Sequence, residues 1–331
     1  MKILITGGAG FIGSHLVEHY HRRAEVVVLD NFSSGRLENL RGLRCKVITG
    51  SVLDREIIER CCEKVDYVFH LAALVSVAES MQKPQETADL NILGLLNLLQ
   101  ASAQASVKKL CFASSAAIYG NSADLVKVET ALPDPRSPYA ISKLTGEQFC
   151  EFYAREKGLP TASLRFFNVF GPRQNSASAY AAAVAIFLDR AMRNEPITLY
   201  GNGEQTRDFV FVKDISSALS FAAETPECVG VYNVGYNASV SIRAVAEQLI
   251  KKCGSRSILQ FAAKRAGDLQ HSQANAGRLQ TAGWKAKYTF ESGLEATINA
   301  AIKAHSRRSL QTRPPNHFSR KPNGASPSLT A

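Results

Sequence analysis

Short runs of β-branched and other apolar residues alternate, through the first half of the chain, with longer stretches in which apolar positions recur every three or four residues. Ile3–Thr6, Glu25–Leu29, Lys46–Thr49, Tyr67–Leu71, Lys109–Ala113 and Thr161–Phe166 read as strands, with helical patterns between most of them. A strand covered on both faces carries a near-continuous apolar run, so the alternation predicts an α/β protein: a doubly wound parallel sheet with helices on both faces. Gln85–Ala105 and Tyr139–Lys157 predict long helices. The first carries Leu90, Leu95, Leu96, Leu98 and Leu99, more apolar surface than one face requires. Burial against the sheet and a helix-to-helix contact with a second copy both account for it.

After Phe170 the regular alternation fades. Ile197–Tyr200, Asp208–Val212 and Tyr232–Val234 are separated by helical runs, which predicts a smaller C-terminal lobe laid over the carboxyl ends of the sheet. Gly283-Trp284 and a helix from Glu291 to about Ala304 close the fold. Pro314-Pro315 and the Ser/Asn/Pro-rich sequence after it offer too little apolar surface to offset ordering entropy. The expected division is therefore 1–170 mainly for a cofactor, 171–304 mainly for a substrate, with segments free to interleave, and 305–331 as a disordered basic tail.

Composition narrows the partners. Of the net charge of +10, five units come from Arg307, Arg308, Arg313, Arg320 and Lys321 in that acid-free tail, which leaves +5 for the body. A mildly basic body suits an anionic small molecule, and no basic helix interleaved with aromatic residues points to nucleic acid. The seven cysteines are odd in number and lack C-x-x-C spacing, so neither a disulfide framework nor a zinc site is indicated. The N-terminus runs straight into a glycine-rich turn, and no apolar stretch approaches the ~20 residues of a membrane span. A soluble, cytoplasmic protein that keeps off membranes is expected.

The opening strand leads into Thr6-Gly7-Gly8-Ala9-Gly10-Phe11-Ile12-Gly13, with an amphipathic helix beginning near Ser14. Glycines at 7, 10 and 13 permit a tight turn, backbone approach to a pyrophosphate and close helix-to-strand packing, the Rossmann arrangement for a dinucleotide. A second strand ends at Asp30, whose carboxylate suits the adenosine ribose hydroxyls and repels a 2′-phosphate; NAD is favoured over NADP, although Arg36 stands nearby.

Tyr139 and Lys143, in Ser137-Pro138-Tyr139-Ala140-Ile141-Ser142-Lys143, are four apart on a predicted helix and share a face. An ammonium beside a phenol favours its phenolate, which can then exchange a proton with an alcohol while hydride moves at the same carbon.

Taken together, the glycine loop, Asp30-Asn31-Phe32, His70-Leu71-Ala72-Ala73, Asn91, Ser114-Ser115-Ala116-Ala117-Ile118-Tyr119-Gly120, Tyr139 through Lys143, Arg165 through Pro172, Arg207-Asp208-Phe209 and Arg265-Ala266-Gly267-Asp268 resemble, over roughly residues 1–300, the extended short-chain dehydrogenase/reductases of the nucleotide-sugar epimerase branch. The resemblance implies bound NAD, a UDP-sugar substrate and a homodimer built on the two long helices. For the cofactor it implies Gly7, Gly10, Phe11, Ile12, Gly13, Asp30 and Asn31, then Val52, Leu71, Ala72, Ala73 and Asn91, with Lys143 on the nicotinamide ribose beside Tyr139. Ser51 stands where the family usually has an Asp at the adenine amine, so that contact is expected to be weaker.

Ser115, at the end of an apolar strand, is positioned to bond the substrate oxygen that Tyr139 deprotonates, with Ser114 as the competitor for that role. Related dehydratases and decarboxylases place an acid in the two positions after their Ser or Thr; here both are alanine, Ala116 and Ala117. Oxidation and reduction at one carbon need no such acid. The expected cycle therefore takes a proton from the sugar 4-hydroxyl to Tyr139 and hydride from C4 to NAD. The 4-keto sugar turns over, the hydride returns on its other face, and NAD is regenerated and retained.

For the substrate, Arg207 and Arg265 match the family's phosphate-binding arginines, Asn168 its diphosphate or sugar contact, and Asp268 its uridine-ribose contact. Tyr200 is available to stack on uracil, and Ser76 and Ala183 complete the expected contacts. Ser272 aligns with a position where a bulky Tyr restricts the pocket and a small residue admits a 2-acetamido group, and Val75 stands where glucose-type enzymes often carry Lys. The expected function is C4 epimerisation of UDP-N-acetylglucosamine and UDP-N-acetylgalactosamine. Interconversion of UDP-glucose and UDP-galactose, a nucleotide-sugar ketoreductase, and a non-catalytic NAD-binding scaffold are the alternatives.

Overall fold

The computed structural model describes residues 1–122, 124–175, 183–264 and 270–311, with side chains as far as 306. In chain order its first half runs β1 (Lys2–Thr6), α1 (Phe11–Tyr20), β2 (Glu25–Asp30), β3 (Lys46–Thr49), α2 (Arg55–Cys62), β4 (Tyr67–His70), α3 (Val77–Gln82), α4 (Pro84–Ala88), a π-helical turn at Asp89–Leu93, α5 (Gly94–Gln104), β5 (Lys109–Ser115), a 3-10 turn at Ala116–Tyr119, β6 (Val126–Lys127) and α6 (Pro138–Glu156). There follow β7 (Thr161–Phe166), β8 (Asn168–Phe170), α7 (Ala183–Arg193), β9 (Ile197–Tyr200), β10 (Thr206–Arg207), β11 (Phe209–Phe211), α8 (Val212–Glu224) and β12 (Gly230–Val234). The last elements are β13 (Val240–Ser241), α9 (Ile242–Lys252), β14 (Leu259–Ala262), β15 (His271–Ala274), α10 (Gly277–Thr281) and α11 (Phe290–Gln311).

Seven strands form one parallel sheet in the order β12-β7-β5-β4-β1-β2-β3. The order reverses at β1, which pairs with β2 on one side and β4 on the other, and that reversal opens a crevice at the carboxyl ends where ligands bind in such sheets. Alternate residues of β1, β2, β4 and β5 feed two cores. Ile3, Ile5, Val28, Phe69 and Cys111 pack with Leu16, Val17 and Tyr20 of α1 and Ile215 and Leu219 of α8. Leu4, Val27, Leu29, Val68, Leu110 and Phe112 pack on the other face with Ile58, Leu95, Leu98, Leu99 and Cys150. A third core, centred on Phe170, Phe187, Leu199, Phe211 and Leu294, belongs to the later part of the chain.

Three expectations are corrected. The first helix begins at Phe11 rather than near Ser14, because Gly10 itself adopts the extended N-cap conformation. The segment around Tyr232–Val234 does not build the second lobe; it is β12, the edge of the central sheet paired with β7, and α8 before it covers that sheet's face. The closing helix continues past 304 to Gln311, since Ala300, Ala301, Lys303 and Ala304 favour helix and no Gly or Pro intervenes before Pro314. Residues 305–311 of the expected tail are thus helical, and the rest of it lies outside the described residues.

The smaller assembly is a four-stranded sheet ordered β13-β10-β15-β6, with two further strand pairs, β8 with β11 and β9 with β14. Strand β6 lies between β5 and α6 in the sequence yet pairs with β15, so the segment after Ser115 ties the large sheet to the small one.

Candidate active site

The glycine loop is shaped by close approach. A Cβ on Gly7, whose φ is +69°, would lie 2.8 Å from the Ala72 amide nitrogen, and one on Gly13 would lie 2.1 Å from the Gly7 carbonyl oxygen. Thr6 fastens the neighbouring turn: its Oγ1 lies 2.8 Å from His70 Nδ1 and accepts the Leu71 and Ala72 amides at 3.3 Å each. Gly10 caps α1 without a side chain and the first turn holds no acid, so the leading amides of Phe11, Ile12 and Gly13 present an uncompensated positive end.

Asp30 is fixed at the end of β2. One carboxylate oxygen accepts the Ala9 amide at 2.9 Å and the other the Phe32 amide at 2.8 Å, with Phe32 held at φ +57° beside exposed Asn31. The Ala9 carbonyl in turn accepts from Arg36 N at 3.0 Å and Asn39 Nδ2 at 2.8 Å. Asn39 is a buttress that sequence reasoning missed. A cradle with no room for a Cβ at Gly7 or Gly13, a bare helix start and a fixed carboxylate at the end of the neighbouring strand fit a dinucleotide with free ribose hydroxyls. Ser51, whose Oγ accepts the Leu53 amide at 3.2 Å, and buried Val52 sit past the end of β3.

Asn91 lies in the π-helical turn, an irregularity that aims it inward. Its Oδ1 accepts the Leu74 amide at 2.8 Å, and its Nδ2 donates to the Leu74 carbonyl and Ser142 Oγ, both at 3.0 Å. Its polar atoms therefore hold the Leu71–Leu74 turn, which contains Ala72 and Ala73, against α6. Ser76 caps α3, accepting the Glu79 amide at 3.0 Å, beside Val75.

Helix α6 starts where its sequence dictates: Ser137 Oγ accepts the Ala140 amide at 3.1 Å and Pro138 occupies the first turn. Tyr139 follows, its amide donating to Ser80 Oγ at 3.2 Å. Ser115 ends β5 and caps the 3-10 turn, accepting the Ala117 amide at 3.1 Å. Tyr139, Lys143 and Ser115 converge here, with the Ser115 hydroxyl near enough to the Tyr139 phenol to favour its ionised form. Ser114 points the other way and donates to Glu147 at 2.5 Å, so of the two competing serines only Ser115 faces the Tyr139 hydroxyl.

The expected phenol–ammonium contact needs correction. Lys143 Nζ donates to the Ala113 carbonyl at 2.8 Å and lies 4.8 Å above the centre of the Phe112 ring, but 5.7 Å from the centre of the Tyr139 ring. Burial brings the Lys143 ammonium down to about 8. Burial pushes the Tyr139 phenol above its ordinary value, and only the nearby Ser115 side chain acts against it. The lysine reaches across to the strand end instead of along its own helix, so the chain alone does not lower the phenol.

In the smaller assembly, Arg207 of β10 and Ser272 of β15 are register partners, with Ser272 7% exposed. Exposed Asn168 opens β8, and its amide donates to the Asp208 carbonyl at 3.0 Å. Asp208 is the tie between them: its amide donates to the Ser272 carbonyl at 2.9 Å, and its carboxylate accepts the Tyr236 and Ala274 amides at 2.8 and 3.2 Å. Burial still pushes that carboxyl up to about 6. The R-D-F motif contained this residue, but its neighbour's charge drew the attention. Tyr200 ends β9 and Ala183 begins α7. Arg265 and Asp268 lie outside the described residues.

A switch-point crevice lined by a glycine cradle, a ribose-type carboxylate and a Ser/Tyr/Lys set defines a dinucleotide-dependent enzyme acting at an alcohol carbon. Residues 3–235 match the NAD dependent epimerase/dehydratase family, and the chain belongs to it. It is an extended short-chain dehydrogenase/reductase of the nucleotide-sugar epimerase branch, with NAD as cofactor. It is similar to the UDP-glucose 4-epimerase of Thermotoga maritima, solved with UDP-glucose: 38% identity, 92% of this chain and 100% of that one, TM-score 0.87. The UDP-N-acetylglucosamine 4-epimerase of Methanobrevibacter ruminantium, solved with UDP-N-acetylmuramic acid, is 35% identical over 92% and 98% of the two chains, TM-score 0.88. The UDP-glucose 4-epimerase of Thermus thermophilus, solved with NAD, is 38% identical over 92% and 100%, TM-score 0.84.

Proposed function

We propose that the protein interconverts C4 epimers of UDP-hexoses through a 4-keto intermediate and that it prefers the N-acetylated pair. The convergence of Ser115, Tyr139 and Lys143 at a crevice whose next two residues are Ala116 and Ala117 carries the first part of this reading. Ser115 orients the sugar 4-hydroxyl, Tyr139 takes its proton as C4 is oxidised and returns it after the ketone has turned, and Lys143 holds the strand end and the ribose side of the site. NAD, when bound, supplies the hydride acceptor and donor. Arg207 and Asn168 take the diphosphate, Tyr200 the uracil, and Ser76 and Ala183 the sugar side; Arg265 and Asp268 are assigned to phosphate and ribose on sequence grounds alone.

The preference rests on Ser272, a small side chain registered beside Arg207, and on Val75, 66% exposed where a lysine would narrow the choice. The likeness to the T. maritima enzyme favours the UDP-glucose pair as a second reading. The purified protein, given each of the four UDP-sugars without added NADH, should run UDP-N-acetylglucosamine and its C4 epimer to a two-sugar equilibrium; exclusive turnover of the glucose pair would select the second reading, and a demand for stoichiometric NADH a reductase. Ser272→Tyr should cut turnover of the acetylated pair by ~10-fold or more, as a filled pocket excludes the 2-acetamido group. Unchanged turnover would remove the gatekeeper. A homodimer on the helical stretch from Gln85 to Ala105 and on α6 is supported by Leu93, Ile141 and Phe152, which remain exposed there, and a monomeric mass in solution would exclude it.

A further inference from the structure

Behind the reacting groups lies a buried polar cluster for which the cycle above has no use. Glu147 follows Lys143 by one turn of α6, and its Oε1 accepts from Ser114 Oγ at 2.5 Å and from Arg165 Nε at 2.8 Å. Its Oε2 accepts from Arg165 Nη2 at 2.7 Å. The two side chains are 4% and 5% exposed, whereas every other ion pair among the described residues has a partner more than a quarter exposed. An enclosed pair of this kind contributes little net stability over an apolar replacement, yet is costly to break, so it is better understood as fixing geometry. Arg165 is anchored in turn, donating to Tyr119 Oη at 2.9 Å.

Two consecutive residues of β5 are thereby fastened to two consecutive turns of α6. The Ala113 carbonyl accepts from Lys143, and the Ser114 hydroxyl donates to Glu147. Successive side chains on a strand face opposite ways, so holding Ser114 inward holds Ser115 outward toward Tyr139. The charges around Lys143 are few. Glu147, Cys150 and Tyr139 face it from α6 and His70 from β4, where burial keeps the imidazole neutral; Arg165 on β7 is engaged by Glu147.

We propose that Glu147 is a positioning residue for the reacting set: held in place by Arg165, it fixes through Ser114 the end of β5 that carries Ser115. The proposal rests on the reading of Ser115, Tyr139 and Lys143 as the reacting groups. Ser114→Ala breaks the serine link and spares the ion pair; Glu147→Gln removes the charge at nearly constant shape. In Ser114→Ala, kcat should fall about 10-fold with KM for the UDP-sugar within about twofold, the signature of an interaction made in the transition state. In Glu147→Gln, whose neutral amide holds Ser114 less firmly than a carboxylate does, kcat should fall in the same direction with KM again within about twofold.

Wild-type kcat in Ser114→Ala, or in a folded Glu147→Gln, overturns the proposal. If Glu147→Gln does not fold, the kcat of Ser114→Ala decides alone. Tyr139→Phe is assayed alongside: activity there would sink the reading of the site, whereas an inactive Tyr139→Phe with a fully active Ser114→Ala would sink the positioning role only.

Discussion

Lys143 is buried with its Nζ on a strand-end carbonyl, and the energetic consequence falls within an accessible pH range. Desolvation lowers it to about 8, against an ordinary 10.5, so the ammonium is lost near the pH at which many enzymes are assayed. Turnover should therefore decline as pH rises through about 8. Lys143→Arg, with a guanidinium that stays charged beyond pH ~12, should have lower peak activity and lack that decline. A wild-type profile flat to pH ~10, where an unperturbed lysine titrates, would show that Lys143 is not the group that matters. Tyr139 is the counterpart: its phenol is pushed up by burial, and in the chain alone Ser115 is the one group acting against this.

The start of α1 and the turn after β4 work as a unit, because Gly13 packs on Gly7 and Gly7 on Ala72. Gly13→Ala would put a methyl 2.1 Å from the Gly7 carbonyl. The helix would have to move, with overpacking strain of about 1–3 kcal/mol and NADH binding weakened by ~10-fold or more. Calorimetric titration checks this, and wild-type affinity would refute it. Elements of this kind are the ones the sequence states locally. Ser137-Pro138 marks the start of α6, the glycine spacing the start of α1, and apolar runs mark strands that are covered on both sides. What pattern reading missed is set by pairing across the chain. Nothing local to Gly230–Val234 distinguishes an edge strand of the large sheet from a strand of the small one, because either offers the same half-buried surface. Likewise the i, i+4 spacing of Tyr139 and Lys143 places them on one face but leaves open that Lys143 reaches the Ala113 carbonyl. Asp208 and Glu147 were overlooked because their partners, Ser272, Ala274, Ser114 and Arg165, are distant in sequence.

Over the whole molecule, the buried histidines set the response to acid. His15, whose Nε2 donates to the Pro172 carbonyl, is lowered to about 4, and His70 to about 3, chiefly by burial. Between the ordinary value of 6.5 and those values the unfolded chain binds protons that the folded one does not, so stability is complete above pH 6.5 and falls on acidification. For His15 the loss is roughly 3 kcal/mol. Asp208, raised to about 6, acts in the opposite sense and offsets part of it. Melting temperature should drop between pH 6.5 and 4, with a shallower drop in His15→Gln; parallel curves would remove His15 from the account. The return of β12 to the central sheet has a consequence of another sort. The chain is plaited: it leaves the large sheet at Phe166, builds part of the smaller assembly, comes back through α8 and β12, and departs again. A gene fragment ending at residue 170 would expose β7 as a raw edge and uncover Tyr20 where α8 should lie, so the first 170 residues do not make a self-contained cassette that could be moved without the rest.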